Sequence, residues 1–252
     1  MSEPIGRVVD SYEINRRAWN AERATDNEWV REVEPEVIAA ARQGDWQVVL
    51  TPMRPVPRAW FGELRGKALL GLASGGGQQC PIFAAAGAQV TSFDASDEQL
   101  VRDRRVAARD GLSLTTVQGN MRDLRVFDDA SFDIVFNPCS TSFVDDVESV
   151  WHEVARVLRP GGIFMTGFTN PWYYLFEIEA FDRGELKITK KLPVVEHSGG
   201  MIEFSHSLEA QLGGQLRAGL SLTDLFEDEW DAWPALFGVA PAFIATRAVK
   251  RG

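Results

Sequence analysis

Three consecutive glycines, Gly75 to Gly77, separate the apolar run LLGLAS from the segment QQCPIF. A simple connection between a strand and a helix needs one glycine, because each additional glycine increases the entropy lost on folding. A glycine-rich loop at a helix start lets ligand atoms approach the backbone and its free N–H groups. About 20 residues further on, the carboxylate of Asp94 can accept hydrogen bonds from both hydroxyls of a ribose. Loop and acid together predict a site for an adenosine-containing cofactor.

Two other interpretations of these residues stay open at this point. The glycines can form a tight structural turn, and Asp94 can simply cap the next helix. Among cofactors, NAD is disfavoured because Cys80 stands where the dinucleotide fingerprint has its third glycine. The chain also lacks a second mononucleotide-binding half of the usual size.

The elements that position these residues alternate regularly from Lys67 onward. The predicted strands are KALLGLA, QVTSFD, LSLTTVQG, SFDIVFNP and GIFMTGF, and the predicted helices between them are QQCPIFAAAGA, SDEQLVRDRRVAARDG and VDDVESVWHEVARVLRPGG. Ser96 or Asp97 is the expected cap of the second helix. This alternation predicts βαβ units and a parallel sheet covered by helices on both faces.

Beyond Asn170 the regular alternation ends. Residues 170–204 are aromatic and irregular, and they predict an insertion or lid over the sheet. A helix is expected next, with an apolar face formed by Phe204, Leu208, Leu212 and Leu216. LSLTDLFED and PAFIATRAVK are then expected to pair as an antiparallel hairpin.

The first 60 residues predict a helical, aromatic cap, and residues 61–252 form the predicted core. Pro35 suits the first turn of a helix, and Gly44 suits its end. The proline-rich stretch LTPMRPVP is interpreted as a linker.

Composition excludes several classes of function. A net charge of −10 disfavours nucleic acid and anionic membrane surfaces as partners. The first residues lack the apolar region of a signal peptide, and no apolar run is long enough to span a bilayer. Two cysteines, Cys80 and Cys139, fit neither a disulfide framework nor a metal site. We expect a cytoplasmic protein without a bound metal, either a monomer or a homodimer.

Five segments resemble motifs of the class I S-adenosylmethionine-dependent methyltransferases: LLGLASGGGQQ, FDAS, VQGNMRDL, SFDIVFNP and HEVARVLRPGGIF. The resemblance implies an α/β, Rossmann-like, mostly parallel seven-stranded sheet with an antiparallel end. It also implies S-adenosylmethionine as cofactor and a small-molecule acceptor, as in the methyltransferases of quinone biosynthesis. The cofactor-binding residues expected from it are Ala73, Ser74, Gly75, Gly76, Gly77, Gln78, Gln79, Asp94, Ala95, Ser96, Gln99, Asn120, Met121 and Asn137.

The chain departs from the family pattern at three positions. Family members commonly carry an acid where Gly71 stands, a glycine at Ala73 and an aspartate at Asn120. Gln78 and Gln79 are expected to supply polar contacts to the amino-acid end of the cofactor in place of the missing acid.

Methyl transfer from a sulfonium requires mainly that the acceptor be held close and in line, with a base only where the acceptor must lose a proton. His206 and Asn137 are the expected catalytic candidates. Asn137 lies in FNPCS, which resembles an amine-binding motif but can also simply end a strand. The expected acceptor-binding residues are aromatic: Tyr12, Trp19, Trp29, Trp172, Tyr173 and Tyr174.

Ordinary hydrophobic packing explains the same aromatic residues. The glycine pairs 199–200 and 213–214 can be hinges of a lid or sites of close packing. A nicotinamide-dependent oxidoreductase and a non-catalytic protein that binds S-adenosylmethionine are the alternative functions.

Overall fold

The computed structural model describes residues 10–23, 27–177, 180, 183–232 and 237–252. The described strands are β1 Ala68–Leu72, β2 Gln89–Asp94, β3 Leu114–Gln118, β4 Phe132–Asn137, β5 Leu158–Thr169, β6 Val195–Ser198, β7 Met201–Phe204, β8 Leu220–Asp228 and β9 Phe243–Lys250. The described α-helices are α1 Ser11–Ala21, α2 Pro35–Arg42, α3 Gln79–Ala85, α4 Asp97–Asp110, α5 Val147–Val157 and α6 Gly214–Arg217. Residues 1–9 and 24–26 of the predicted cap, and 178, 179, 181 and 182 of the predicted insertion, lie outside the described residues.

Seven strands form one sheet in the order β3-β2-β1-β4-β5-β9-β8. The first five are parallel, whereas β9 pairs antiparallel with both β5 and β8. The predicted α/β fold with an antiparallel end is therefore confirmed. The strand order reverses between β1 and β4, and ligands of open α/β sheets bind at the carboxyl ends of the strands beside such a reversal.

Apolar cores cover the sheet on both faces. One contains Ile38 of α2 and Phe83 of α3 together with Phe61. The other contains Trp151 and Val154 of α5. Among the described residues, none of the helices is both long and apolar enough to cross a bilayer.

The prediction for the helix after the insertion was partly wrong. Phe204 ends β7, and a π-helical turn, Glu209–Gly213, precedes the short helix α6. The predicted apolar face is turned outward, since Leu208 and Leu216 are exposed.

Two glutamines occupy the buried face of that helical segment instead. Gln211 Nε2 donates to Thr141 Oγ1, and Gln215 Nε2 donates to Thr246 Oγ1. Gly214 lies against Trp151, where a Cβ atom would come within 2.6 Å of the indole ring. Hydrogen bonds and close packing thus outweigh the spacing of the leucines, which accounts for the wrong prediction.

The predicted insertion contains more regular structure than its sequence indicates. Strands β6 and β7 form a separate antiparallel hairpin. Gly199 and Gly200 join them, with φ angles of +57° and +80° that suit a tight hairpin turn. This glycine pair is a turn, and Gly214 permits close packing.

The proline-rich stretch after α2 is not a free linker. Val48, Leu50 and Val56 are buried in the core, and Val49 forms an isolated bridge with Pro55. Leu50 O also accepts a hydrogen bond from Cys139 N. The prolines prevent regular pairing, but the apolar residues between them hold the segment on the sheet.

Candidate functional site

Internal acceptors hold the backbone N–H groups of all three loop glycines. Gly75 N donates to Asp94 Oδ2 at 3.0 Å, Gly76 N to the Gln99 carbonyl at 3.0 Å, and Gly77 N to Asp103 Oδ1 at 2.8 Å. A pyrophosphate requires free N–H groups at such a loop. The loop therefore does not suit a dinucleotide, and it is held rigid from the side of α4.

The two carboxylates that hold the loop are both perturbed by burial. Burial raises the pKa of Asp94 to about 6, although backbone hydrogen bonds from Ser96 and Gly75 favour its charged form. Burial likewise raises the pKa of Asp103 to about 7, against the hydrogen bonds from Ser92 and Gly77. Near neutral pH, Asp94 is mainly a carboxylate that can accept two ribose hydroxyls.

The departure at Gly71 has a structural cause. A Cβ atom there would lie 2.3 Å from Cys80 Sγ, so the thiol of α3 fills the space that a side chain at 71 would need. The departure at Ala73 preserves the loop conformation. Ala73 has a φ of +47°, a left-handed value that glycine adopts without strain.

A cavity of about 340 Å³ opens at the carboxyl ends of β1, β2 and β4. This size is typical of small-molecule pockets. The cofactor-binding residues expected from the sequence that line it are Ala73, Ser74, Gly75, Gln78, Gln79, Asp94, Ala95, Gln99, Asn120 and Met121.

Four of the expected cofactor-binding residues are not in the cavity lining. Gly76 and Gly77 shape the loop. Ser96 is buried, and its hydroxyl caps α4 at Gln99 N. Asn137 is also buried; its Nδ2 donates to Leu72 O and Ser140 Oγ.

Several expected cofactor contacts already have protein partners. Gln78 Nε2 donates to the carbonyls of Glu28 and Arg31, and Gln79 Oε1 accepts from Val49 N. Both glutamines thus fasten the N-terminal segment to the glycine loop. Asn120 Oδ1, expected to face the adenine amino group, accepts from Arg122 N at 3.0 Å.

The expected catalytic groups are not brought to the cavity. His206 Nε2 lies 3.1 Å from Thr141 O and 2.8 Å from Val144 O, so this nitrogen carries a proton and donates it to the backbone. Burial lowers the pKa of His206. Asn137 Oδ1 accepts from Thr166 Oγ1. Both side chains hold the loop after β4 and do not point to a bound acceptor.

Aromatic side chains also line the cavity. Tyr12, Trp19, Trp29 and Tyr173 line it as the sequence indicates. Trp19 packs edge-on against Phe143, which also lines it. Trp172 and Tyr174 are not in the lining. Trp172 packs on Phe176, and Tyr174 is buried behind the wall.

The sequence did not identify several residues of the lining. Glu203 of β7 faces the cavity, and so do Trp230 and Phe243 from the segment around β9. The Oγ atoms of Ser74 and Thr51 are buried and have no hydrogen-bond partner among the described residues. Ser74 belongs to the glycine-loop motif. No local motif marks Glu203, Thr51, Trp230 and Phe243, because distant parts of the chain bring them together.

The cavity chemistry fits S-adenosylmethionine. Asp94 offers the acceptor pair that a ribose needs, and the unpartnered Ser74 hydroxyl offers a hydrogen bond beside the glycine loop. The aromatic lining suits a positively charged sulfonium.

Comparisons with known proteins agree with this chemistry. A family model described as a methyltransferase domain matches residues 70–166. The chain is 42% identical over 249 residues to a Bacillus subtilis (strain 168) protein named "Uncharacterized methyltransferase YbaJ", covering 94% of this chain and 97% of that protein. It is 30% identical to a Bordetella pertussis ubiquinone biosynthesis O-methyltransferase, covering 66% of this chain and 71% of the relative.

A solved structure has the same fold. The Burkholderia thailandensis 1,6-didemethyltoxoflavin-N1-methyltransferase, with its substrate and S-adenosylhomocysteine bound, matches with a TM-score of 0.63 at 13% identity. The match covers all of this chain and 94% of that one. Together with the sequence relatives, the sheet order and the glycine loop that is anchored by Asp94, it identifies the chain as a member of the class I S-adenosylmethionine-dependent methyltransferases.

Proposed function

We propose that this methyltransferase acts on a small aromatic molecule bound at the aromatic end of the cavity. The observation that carries the proposal is the continuity of one cavity from Ala73–Gly75 and Asp94 to Trp19, Phe143 and Tyr173. A methyl donor bound beside Asp94 and a methyl acceptor bound beside Trp19, Phe143 and Tyr173 would share one cavity. A non-catalytic binding protein has no need of the second end.

In this proposal Asp94 holds the ribose, Asn120 and Met121 border the adenine, and the Ser74 hydroxyl contacts the amino-acid end. When bound, S-adenosylmethionine supplies an activated methyl group. The chain contributes position: the loop is fixed by Asp94 and Asp103, so little reorganisation is needed at the moment of transfer. The aromatic wall excludes water.

Two connections support a covering role for the N-terminal helices and the insertion. Gln99 Nε2 donates to Trp19 O, which holds α1 over the ribose end. Asn15 bonds α1 to β7. We therefore retain residues 1–60 as a cap, 61–252 as the core and 170–204 as a lid.

Three further expectations remain proposals. The acceptor is a small molecule, as the names of the ubiquinone and toxoflavin enzymes suggest for those relatives. The chain acts as a monomer or homodimer without nucleic-acid or membrane partners, given its net charge of −10. It is cytoplasmic, which its low cysteine content supports.

Calorimetric titration tests the cofactor end. S-adenosylmethionine and S-adenosylhomocysteine should bind, and NADH should not. Asp94→Ala should lower the affinity for S-adenosylmethionine and for S-adenosylhomocysteine by roughly 10- to 100-fold, because it removes hydrogen bonds to a charged acceptor. Glu98→Ala on the exposed side of α4 is the matched control and should bind normally. Equal binding by wild type and Asp94→Ala would contradict the assignment.

A further inference from the structure

We propose that Glu203 is the catalytic base of this enzyme and that the acceptor is a flat aromatic molecule with a dissociable O–H or N–H group. This inference rests on the proposed function and names the substrate class of the same cavity. It replaces the histidine expected from the sequence with a carboxylate from the lid.

The position of Glu203 carries the argument. Hairpin β6–β7 projects from the lid, and Glu203 of β7 lines the same cavity as Ser74 and Asp94. Tyr174 Oη donates to Glu203 Oε2 at 3.2 Å. Tyr174 is buried behind the cavity wall, so this bond fixes the carboxyl group from the side away from the acceptor. We assign the other carboxylate oxygen to the acceptor.

The surroundings make Glu203 a stronger base than an exposed glutamate. Burial raises its pKa, and Glu196, its direct neighbour on β6, raises it further; the Tyr174 hydrogen bond partly offsets both. Tyr173 and Arg16 border the same cavity. A general base works best when its pKa approaches the working pH.

The part of the cavity lined by aromatic rings and the Glu203 carboxyl group favours a flat, uncharged acceptor that donates a proton. The buried hydroxyl of Thr51, which has no partner among the described residues, adds a second polar contact in the same cavity. An acceptor with a polar substituent in addition to its O–H or N–H group would hydrogen-bond to both the Glu203 carboxylate and the Thr51 hydroxyl.

In the proposed step, a methyl group moves from sulfur to the acceptor. The acceptor oxygen or nitrogen forms a bond to the methyl carbon as the carbon–sulfur bond breaks, and that electron pair stays on sulfur. The acceptor's proton passes to the Glu203 carboxylate and from there to solvent. The products are the methylated acceptor and S-adenosylhomocysteine.

Binding to protein saturated with S-adenosylhomocysteine tests the proposal without turnover. The probes are 2-naphthol and benzimidazole, each compared at pH 8 with its methylated form, 2-methoxynaphthalene or 1-methylbenzimidazole. Wild type should bind at least one parent compound about tenfold more tightly than its methylated form. Glu203→Leu should lose that preference. Glu196→Gln, on the paired strand, should keep it.

Turnover of the preferred probe gives a second readout. Glu203→Gln should lower kcat at least 100-fold and remove the acidic limb of the pH profile. Glu196→Gln should move that limb to lower pH, because one like charge beside Glu203 is gone.

The outcomes separate the two proposals. Normal S-adenosylhomocysteine binding without a preference for either parent compound, or with a preference that survives Glu203→Leu, would overturn the role of Glu203 alone. If the wild-type protein does not bind S-adenosylhomocysteine at all, the proposed function would be overturned instead.

Discussion

The two ends of the cavity are built differently. At the cofactor end, the glycine loop, Asp94 and Asp103 lie within 30 residues of sequence, and each loop amide has an internal acceptor. At the proposed acceptor end, the Val49–Thr51 segment and the β6–β7 hairpin come from distant parts of the chain. Helix α1 bonds both to β7 and to Gln99 of the cofactor end. A few specific contacts hold these segments together. We infer that the cofactor end is rigid and that the acceptor end can be loosened separately.

Gly167→Ala should cause the largest effect, because it displaces one wall of the acceptor end. A Cβ at Gly167 of β5 would lie 2.1 Å from Leu50 O, and backbone cannot move aside cheaply. We expect a loss of about 3 kcal/mol in the free energy of unfolding, measured by urea denaturation.

Gly161→Ala on the same strand is the matched control. It has open space but a φ of +77°, so it should cost about 1 kcal/mol from strain alone. Equal losses for the two variants would mean that the contact with Leu50 is unimportant.

Asn15→Leu should detach the cap from the lid. Asn15 Nδ2 donates to the carbonyls of Phe143 and Ile202, and its Oδ1 accepts from Ile202 N at 2.7 Å. The buried groups left unpaired should cost about 2 kcal/mol. Hydrogen exchange at the Ile202 amide should accelerate while S-adenosylhomocysteine affinity changes little. If the affinity for S-adenosylhomocysteine falls as well, the two ends of the cavity cannot be loosened independently.

The buried carboxylate of Asp103 should make stability depend on pH. Its pKa of about 7 exceeds the unfolded value, so its contribution is most favourable when protonated and is lost as pH rises through 7. Asp103→Asn keeps an acceptor for Gly77 N and removes the charge. The variant should be more stable than wild type at pH 8, by roughly 1.4 kcal/mol for each unit by which the folded pKa of Asp103 exceeds its unfolded pKa. This advantage should shrink below pH 7, be clearly smaller at pH 5 and disappear below about pH 4, where Asp103 is protonated in both states. Thermal denaturation of both proteins at pH 8 and pH 5 measures the stability difference. A difference that is the same at the two pH values would contradict the prediction.

Ala73→Gly should have the smallest effect and sharpen the account of the loop. Glycine relieves the left-handed strain at this position, but it also increases the conformational entropy of the unfolded chain. The net effect should be a gain of roughly 0.5 to 1 kcal/mol in the free energy of unfolding. Ala130→Gly is the control, since Ala130 has a φ of +54° away from the loop. Chemical denaturation should show similar gains, and a loss in either variant would exclude relief of strain there.

The sequence predicted the fold around the glycine loop well, because local rules determine it. Alternating apolar runs specify β1 to β5 and their helices, and the position of Asp94 after β2 follows from the strand ends. The glycine loop follows β1 and Asp94 ends β2, and these two strands are neighbours in the sheet. The parallel sheet and its antiparallel end were predictable for the same reason.

The acceptor end could not be predicted in this way. The leucine spacing after the insertion indicated an inward apolar face, but hydrogen bonds of Gln211 and Gln215 reversed it. His206 is a reasonable candidate base from the sequence alone, but its Nε2–H donates to the Thr141 and Val144 carbonyls.

The sequence by itself therefore determined the alternating strands and helices, the glycine loop and the position of Asp94 at the end of β2, because each depends on neighbours along the chain. Only the tertiary structure decided which further groups line the cavity. Glu203 and Thr51 enter the cavity through packing of segments more than 100 residues apart. No periodicity or motif encodes such a contact, since it depends on how separately specified elements pack against each other.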